Sequence, residues 1–214
     1  MDVKTRVLKV NIKLLERKKI KIAARVLRKK GIIAYPTDTF YGLGADCFSP
    51  QAVKKVYALK RRETRKPISI VIPDVKEVRK VAVDIPPFFR VITDRFWPGP
   101  LTIVLRASPA IPGELCGEER KVGVRVPALE WLRQLLREAG FPITATSANI
   151  SGQEVCTTAE EIAAVLKGKI ELIIDAGRIS HTAPSTVIDL TSEKPRILRE
   201  GAISSAALKD LLML

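Results

Sequence analysis

Apolar positions along this 214-residue chain alternate between a helical and an extended rhythm. Over residues 14–30, Leu15, Ile22, Val26 and Leu27 recur at helical intervals among lysines and arginines, and Gly31 supplies a stop. That predicts a basic amphipathic helix. Ile32-Ile33-Ala34-Tyr35 reads as a short buried strand running into Pro36 and a polar turn that extends to Gly44. Ser49-Pro50 pairs an N-cap residue with a proline at the first helical position, and the helix continues through Val53, Val56, Tyr57 and Leu59 to Lys60. Strand character resumes at Ile68-Ser69-Ile70-Val71-Ile72, so the cationic run Lys60-Arg61-Arg62-Glu63-Thr64-Arg65-Lys66-Pro67 occupies a helix-to-strand connection.

The alternation persists to the end of the chain. Pro86-Pro87 open a helix reaching Phe96, Trp97-Pro98-Gly99-Pro100 turns the chain, and residues 101–105 and 122–126 read as strands on either side of an excursion or lid at 108–120. Pro127 opens a helix through Trp131 and Leu135 that Gly140 closes, a strand follows at 142–145, and Thr158 with Glu161 forms a capping box for a helix to Leu166. Further strands are expected at 170–174, 186–190 and 196–198, and Ser204 caps a final helix. This order predicts an α/β fold: one domain over residues 1–214 with a twisted, open, mixed sheet, flanking helices and a concave basic face.

Composition narrows the function classes. Thirty-seven Lys and Arg against 23 Asp and Glu leave a net charge of +14, an imbalance that surface ion pairing of a heat-adapted protein does not explain and that favours an anionic partner. Cys47, Cys116 and Cys156 are widely spaced with no neighbouring histidine, which indicates neither zinc nor a disulfide framework. No apolar run approaches the roughly 20 residues needed to span a bilayer, and the start lacks the apolar core of a signal peptide. A reducing, cytoplasmic setting without a membrane is expected. The one histidine, His181, falls in a polar loop and reads as solvent-exposed, so histidine triads and histidine-rich metal sites have little to build on.

What remains is a site rich in Lys, Arg, Ser, Thr and Asn, suited to holding phosphates while a charge develops, as phosphoryl and nucleotidyl transfer require. Neither the dinucleotide fingerprint nor the phosphate-binding loop is present: Gly42-Leu43-Gly44 is followed by Cys47 where a third glycine belongs. Arg62 can fork onto two phosphate oxygens while Lys60 and Lys66 act as point charges. Thr37, Asp38 and Thr39 either cap a turn or line a pocket for a small polar substrate. Ser147-Ala148-Asn149 follows a strand and is by itself an ordinary turn. Arg125, inside an apolar strand, needs an anionic partner.

Seven motifs follow one another along the chain: Tyr35 to Gly44, Lys60-x-Arg62 with Lys66-Pro67, Phe96-Trp97-Pro98-Gly99-Pro100-Leu101-Thr102, Val124-Arg125-Val126-Pro127, Ser147-Ala148-Asn149-x-Ser151-Gly152, Ser185-Thr186-Val187-x-Asp189, and Arg199-x-Gly201. In these motifs and their order the chain resembles the YrdC-type threonylcarbamoyl-AMP synthase family in its single-domain form. The resemblance implies synthesis of L-threonylcarbamoyladenylate and pyrophosphate from L-threonine, bicarbonate or carbon dioxide, and ATP, with Mg2+ carried on the nucleotide and no metal site of the protein's own. The product would pass to a downstream transferase complex for threonylcarbamoyladenosine modification of tRNA.

By the same resemblance, Lys60, Arg62, Ser147 and Asn149 form a catalytic tetrad. Thr39, Arg125, Ser147 and Ser185 match the threonine contacts, and Lys60, Arg62, Lys66, Asn149, Thr157 and Arg199 match the ATP contacts. Two positions depart from the family pattern: Asp38 where Glu is common and Lys121 where a small hydroxyl residue often stands. An alternative reading is a module that holds double-stranded RNA or tRNA on the basic face without catalysis of its own, though aromatic content of 5% offers few stacking platforms for single strands. A relation to the carbamoyl-adenylate module of hydrogenase-maturation proteins is disfavoured, because those chains are much larger and carry cysteine-rich zinc motifs.

Overall fold

The computed structural model describes residues 3–63, 66–180 and 183–212. Its elements run β1 (Arg6–Lys9), α1 (Arg17–Arg28), β2 (Ile33–Tyr35), β3 (Gly42–Gly44), α2 (Pro50–Lys60), β4 (Ser69–Val71), a 3-10 turn (Val75–Lys80), β5 (Ala82–Val83), α3 (Phe88–Phe96) and β6 (Leu101–Ala107). There follow α4 (Gly113–Cys116), β7 (Lys121–Arg125), α5 (Glu130–Ala139), β8 (Ile143–Ser147), α6 (Ala159–Leu166), β9 (Leu172–Asp175), β10 (Thr186–Asp189), β11 (Arg196–Arg199) and α7 (Ser205–Leu212). The strands join in one mixed sheet in the order β1-β9-β2-β3-β8-β4-β7-β6-β10-β11, with β5 paired to β6.

Local chemistry sets many of the boundaries. Ser49 accepts from the Ala52 N–H and Pro50 fills the first turn of α2, while Gly140 ends α5 at φ 88°. Thr158 Oγ1 caps α6 on the Glu161 N–H, but the Glu161 carboxylate reaches back one residue further than a standard capping box, to the Thr157 N–H at 2.7 Å. Residues 42–44 form a strand and not the end of a turn. The reason lies in Tyr35: its ring packs so tightly over Gly42 and Gly44 that a Cβ there would lie within 2.9 Å and 2.8 Å of it, so only glycine lets β3 pair with β2 and β8. Strand β1 has no counterpart in the sequence pattern. It is an edge strand, parallel to β9, and alternates too briefly to stand out.

The two sheet faces have different fates. One buries Ile70, Ile103, Val124, Ile173 and Ile188 against Val53, Val56 and Ile162. On the other, Ile33, Tyr35, Ile143, Leu172 and Ile174 pack under α1 and α5 through Ile20, Ala23, Ala24, Leu27, Trp131 and Leu135. That second cover stops at Val71. Beyond it, over β4, β7, β6, β10 and β11, the same face lies open and becomes the floor of a cavity of about 1510 Å³.

Candidate active site

Register dictates which side chains floor the cavity. Val71 pairs with Arg125, Val104 with Gly123, and Thr102 with Val187, which sets one alternate row of each strand on the open face. Gly123 keeps the floor low: a Cβ there would lie 2.6 Å from Ser69 Oγ and 3.1 Å from Thr102 Cγ2.

At one side of the floor stands Arg125, only 7% exposed. Its Nε donates to Gly99 O at 2.9 Å, its Nη1 to Thr39 Oγ1 at 3.0 Å, and its Nη2 makes a 2.6 Å ion contact with Asp38 Oδ2. The anion that a buried guanidinium requires is therefore Asp38, whose Oδ1 is buried without a hydrogen-bond partner. Thr39 is held in place by its neighbour: Thr37 Oγ1 accepts from the Thr39 and Phe40 N–H groups, both at 3.0 Å, which locks the turn. Across the floor, Arg199 donates through Nε and Nη2 to Ser185 O, and Ser185 Oγ shares a 2.9 Å hydrogen bond with Thr102 Oγ1. Burial, and then the charge of Arg125, lower the pKa of Arg199. Two guanidiniums facing one cavity with Asp38 as the carboxylate at hand make a receptor for anions.

The third wall is organised by Lys60, the last residue of α2 and 2% exposed. Its ammonium donates to Ser147 O at 2.6 Å, Asn149 O at 2.9 Å and Asn149 Oδ1 at 3.1 Å. Ser147 Oγ donates to Asn149 Oδ1 at 2.5 Å, and Asn149 Nδ2 to Gln153 O at 2.6 Å. The loop after β8 is thus folded around one ammonium whose three protons are all engaged. Burial, followed by the field of Arg62, pulls the Lys60 pKa down to about 8. Arg61 adopts the left-handed conformation at φ 49°, turning the chain so that Arg62 donates to Lys66 O at 2.9 Å and Pro67 O at 3.1 Å.

Of the residues singled out in the sequence, Thr39, Arg62, Arg125, Ser147, Ser185 and Arg199 line the cavity. Lys60 and Asn149 stand behind Ser147 through the contacts just described. Lys66 points outward in a 3.7 Å pair with Glu63, and Thr157 is bound to Glu161 and Arg178, neither of them among the cavity residues. The expectation for His181 lies outside the described residues, as do Thr64 and Arg65 of the cationic run.

Sequence reasoning noticed Asp38 but missed its tie to Arg125. It also missed the floor residues Ser69, Thr102 and Gly123, although a threonine inside the apolar run 101–105 was a signal. The 108–120 excursion contributes Glu114, Glu118 and Glu119 to the rim and is pinned by Arg120, which donates to Ile111 O and Ser108 O. Lys121 bridges Glu119 at 2.7 Å and Asp189 at 3.4 Å. Among the described residues no group of three or more His, Cys, Asp or Glu could hold a metal ion. Nor is any described helix long and apolar enough to cross a membrane.

A family model described as telomere recombination, the Sua5/YciO/YrdC model, matches residues 25–201. This chain belongs to that family. It is 41% identical over 88% of its length to the threonylcarbamoyl-AMP synthase of Pyrococcus abyssi, covering 56% of that protein, and 38% identical over 95% to a putative threonylcarbamoyl-AMP synthase of Methanocaldococcus jannaschii, covering 96% of it. The chain therefore spans about half the length of the first of these relatives. The crystal structure of Pyrococcus abyssi Sua5 complexed with L-threonine superimposes with a TM-score of 0.90 at 38% identity, over 97% of this chain and 60% of that one. As a Sua5/YciO/YrdC protein, the chain has the open mixed sheet with flanking helices that its sequence pattern implies.

Proposed function

We propose that this chain is a nucleotidyltransferase that makes L-threonylcarbamoyladenylate and pyrophosphate from L-threonine, bicarbonate or carbon dioxide, and ATP, for the modification of tRNA in the cytoplasm. The observation that carries the reading is the pair Arg125 and Arg199 facing one cavity with Thr39, Ser185 and Thr102 between them. That arrangement offers charge for a carboxylate and hydroxyls for a small polar side chain. The threonine-bound relative and the names of the two synthases support the same choice of substrate.

In this reading Thr39, Arg125, Ser147 and Ser185 hold threonine. Lys60, Arg62, Lys66, Asn149, Thr157 and Arg199 serve the nucleotide, with Lys60 and Asn149 acting through the loop that presents Ser147. Lys66 and Thr157 would reach ATP only as the loops around them rearrange. The threonine amine attacks carbon dioxide and loses a proton to give the carbamate. A carbamate oxygen then attacks the α-phosphorus of ATP, and pyrophosphate leaves. No side-chain nucleophile is needed; the protein contributes alignment and neutralisation of phosphate charge. Mg2+ arrives with the triphosphate. The adenylate is consumed by a downstream transferase complex acting on tRNA, and double-stranded regions of that RNA are a partner for the chain's excess positive charge.

The test is pyrophosphate release by the purified protein from MgATP and bicarbonate, with and without L-threonine and with L-serine as control. Threonine-dependent release with a product of the mass of threonylcarbamoyladenylate is expected. ATP left intact in every mixture would overturn the proposal.

A further inference from the structure

One short stretch of chain joins the two halves of the anion receptor. Gly99 O accepts from Arg125 Nε at 2.9 Å, and three residues further on Thr102 Oγ1 lies 2.9 Å from Ser185 Oγ. The stretch is itself held firmly: the Gly99 N–H donates to Val126 O at 2.9 Å, Trp97 Nε1 donates to Leu101 O at 2.7 Å, and Thr102 stands beside Val187 in the register of β6 with β10. In the function proposed above, Arg125 and Ser185 hold threonine. Thr102, only 3% exposed, stands behind Ser185 with its hydroxyl already engaged.

Packing fixes the direction of that hydroxyl. A Cβ added to Gly123 would lie 3.1 Å from Thr102 Cγ2, so the threonine methyl occupies the space over this glycine. A β-branched side chain is stiff at its first torsion, and with the methyl over Gly123 the oxygen is turned to Ser185. Ser185 Oγ in turn lies 3.2 Å from Arg199 Nη2, while Ser185 O accepts from Arg199 Nε at 3.2 Å and from Nη2 at 2.8 Å. Among the described residues Thr102 Oγ1 has no hydrogen-bond partner besides Ser185 Oγ.

Counting protons decides how the three groups act together. A hydroxyl has one proton to give and two lone pairs to fill, whereas a guanidinium only donates, so Arg199 fills one lone pair of Ser185 Oγ. If Ser185 gives its proton to Thr102, the Thr102 proton finds no acceptor among the described residues, and Ser185 has nothing to offer an anion. If Thr102 donates instead, both lone pairs of Ser185 are filled and the serine proton is left for the cavity, which Ser185 lines. A carboxylate in the cavity selects the second arrangement, because a hydrogen bond to an ionised acceptor is the stronger one. We infer that Thr102 is a positioning residue: it donates to Ser185 and so orients the Ser185 hydroxyl as a donor to the carboxylate of bound threonine, beside the Arg199 guanidinium. The inference rests on reading the cavity as a threonine site.

The experiment is calorimetric titration of L-threonine into the full chain without ATP, for wild type, Thr102→Val, Thr102→Ser, Ser185→Ala and the double variant Thr102→Val/Ser185→Ala. Valine keeps the branch and the methyl over Gly123 but has no proton to donate; serine keeps the donor. Thr102→Val should weaken threonine binding about tenfold or more, the scale of one hydrogen bond to a charged group, and Thr102→Ser should bind close to wild type. In the double variant the valine should add nothing to the loss that Ser185→Ala already causes. In turnover, Thr102→Val should raise KM for threonine by the same factor and leave kcat near wild type, since the carboxylate is held alike before and during the reaction. Where thermal unfolding shows the valine variant to be unfolded, Thr102→Ala supplies the donorless case without a branched side chain against Ser185. Unchanged affinity in the donorless variant, equal losses in Thr102→Val and Thr102→Ser, or additive losses in the double variant would each overturn the inference and leave the synthase reading standing. A wild type that binds threonine through this relay but releases no pyrophosphate would sink the synthase reading and keep the inference; one that binds no threonine would sink both.

Discussion

Lys60 and Asp38 each hold a charge inside the protein, and each makes a measurable difference. The pKa of Lys60 is drawn down to about 8 by burial and by Arg62, against 10.5 for a free lysine. Since the folded value lies below the unfolded one, the folded protein sheds this proton first. Its contribution to stability therefore improves as pH rises from about 8 to 10.5, while the ammonium that ties Ser147 to Asn149 is lost. The two effects have opposite signs: a pH profile of pyrophosphate release should show an alkaline limb with a midpoint near 8, with no parallel drop in melting temperature. A rate flat to pH 10 would remove Lys60 from the active arrangement. Asp38 poses the complementary case. Replacing it by Asn leaves Arg125 without its counterion beside Arg199, and the chain should lose about 3 kcal/mol, the low end for breaking a buried pair. Threonine would then supply the missing carboxylate, so its stabilising shift in melting temperature should be larger in Asp38→Asn than in wild type. Equal shifts would mean that substrate and Asp38 do not share Arg125.

Elements were legible where a single local rule decides them. Helix α2 shows in Ser49-Pro50 and its apolar spacing, α5 in Gly140, α6 in Thr158, and strands β6 and β7 in their apolar runs. The element order gave the α/β class for the same reason. What depends on packing was hidden. Strand β1 exists because β9 offers an edge, and β3 exists because two glycines admit the Tyr35 ring, which in turn donates to Thr144 O at 2.9 Å. The site divides along the same line. The motifs around Lys60, Arg125 and Ser147 were visible as islands of polarity in apolar surroundings, but their roles were not. That Lys60 faces inward onto a loop, and that Arg125 already owns a carboxylate, follow from contacts across 87 to 89 positions and across the sheet. No spacing rule reaches so far. Lys66 was named from the cationic run and Thr157 through resemblance alone, and the fold sets both outside the cavity lining.

At the scale of the molecule, the decisive feature is a sheet face covered over one half and bare over the other. Helices α1 and α5 bury the half from β1 to β8, and the remainder floors the cavity. Filling space on the two halves should have different consequences, though the change in volume is alike. Ala24, fully buried on the sheet-facing side of α1, has no room to grow. Ala24→Leu should cost about 1 to 3 kcal/mol through overpacking, lowering the melting temperature by roughly 2 to 12 °C for a chain of this size, while threonine-dependent turnover of the folded fraction stays near wild type. Gly123 faces the cavity, where Ser69 Oγ can rotate away from an added side chain. Gly123→Val should raise the floor between Arg125 and Thr102, abolish pyrophosphate release and change the melting temperature by no more than a few degrees. Thermal unfolding and turnover measured on both variants separate the two halves. Turnover lost in Ala24→Leu at full folding, or retained in Gly123→Val, would show that the bare half of the sheet is not where the substrates meet.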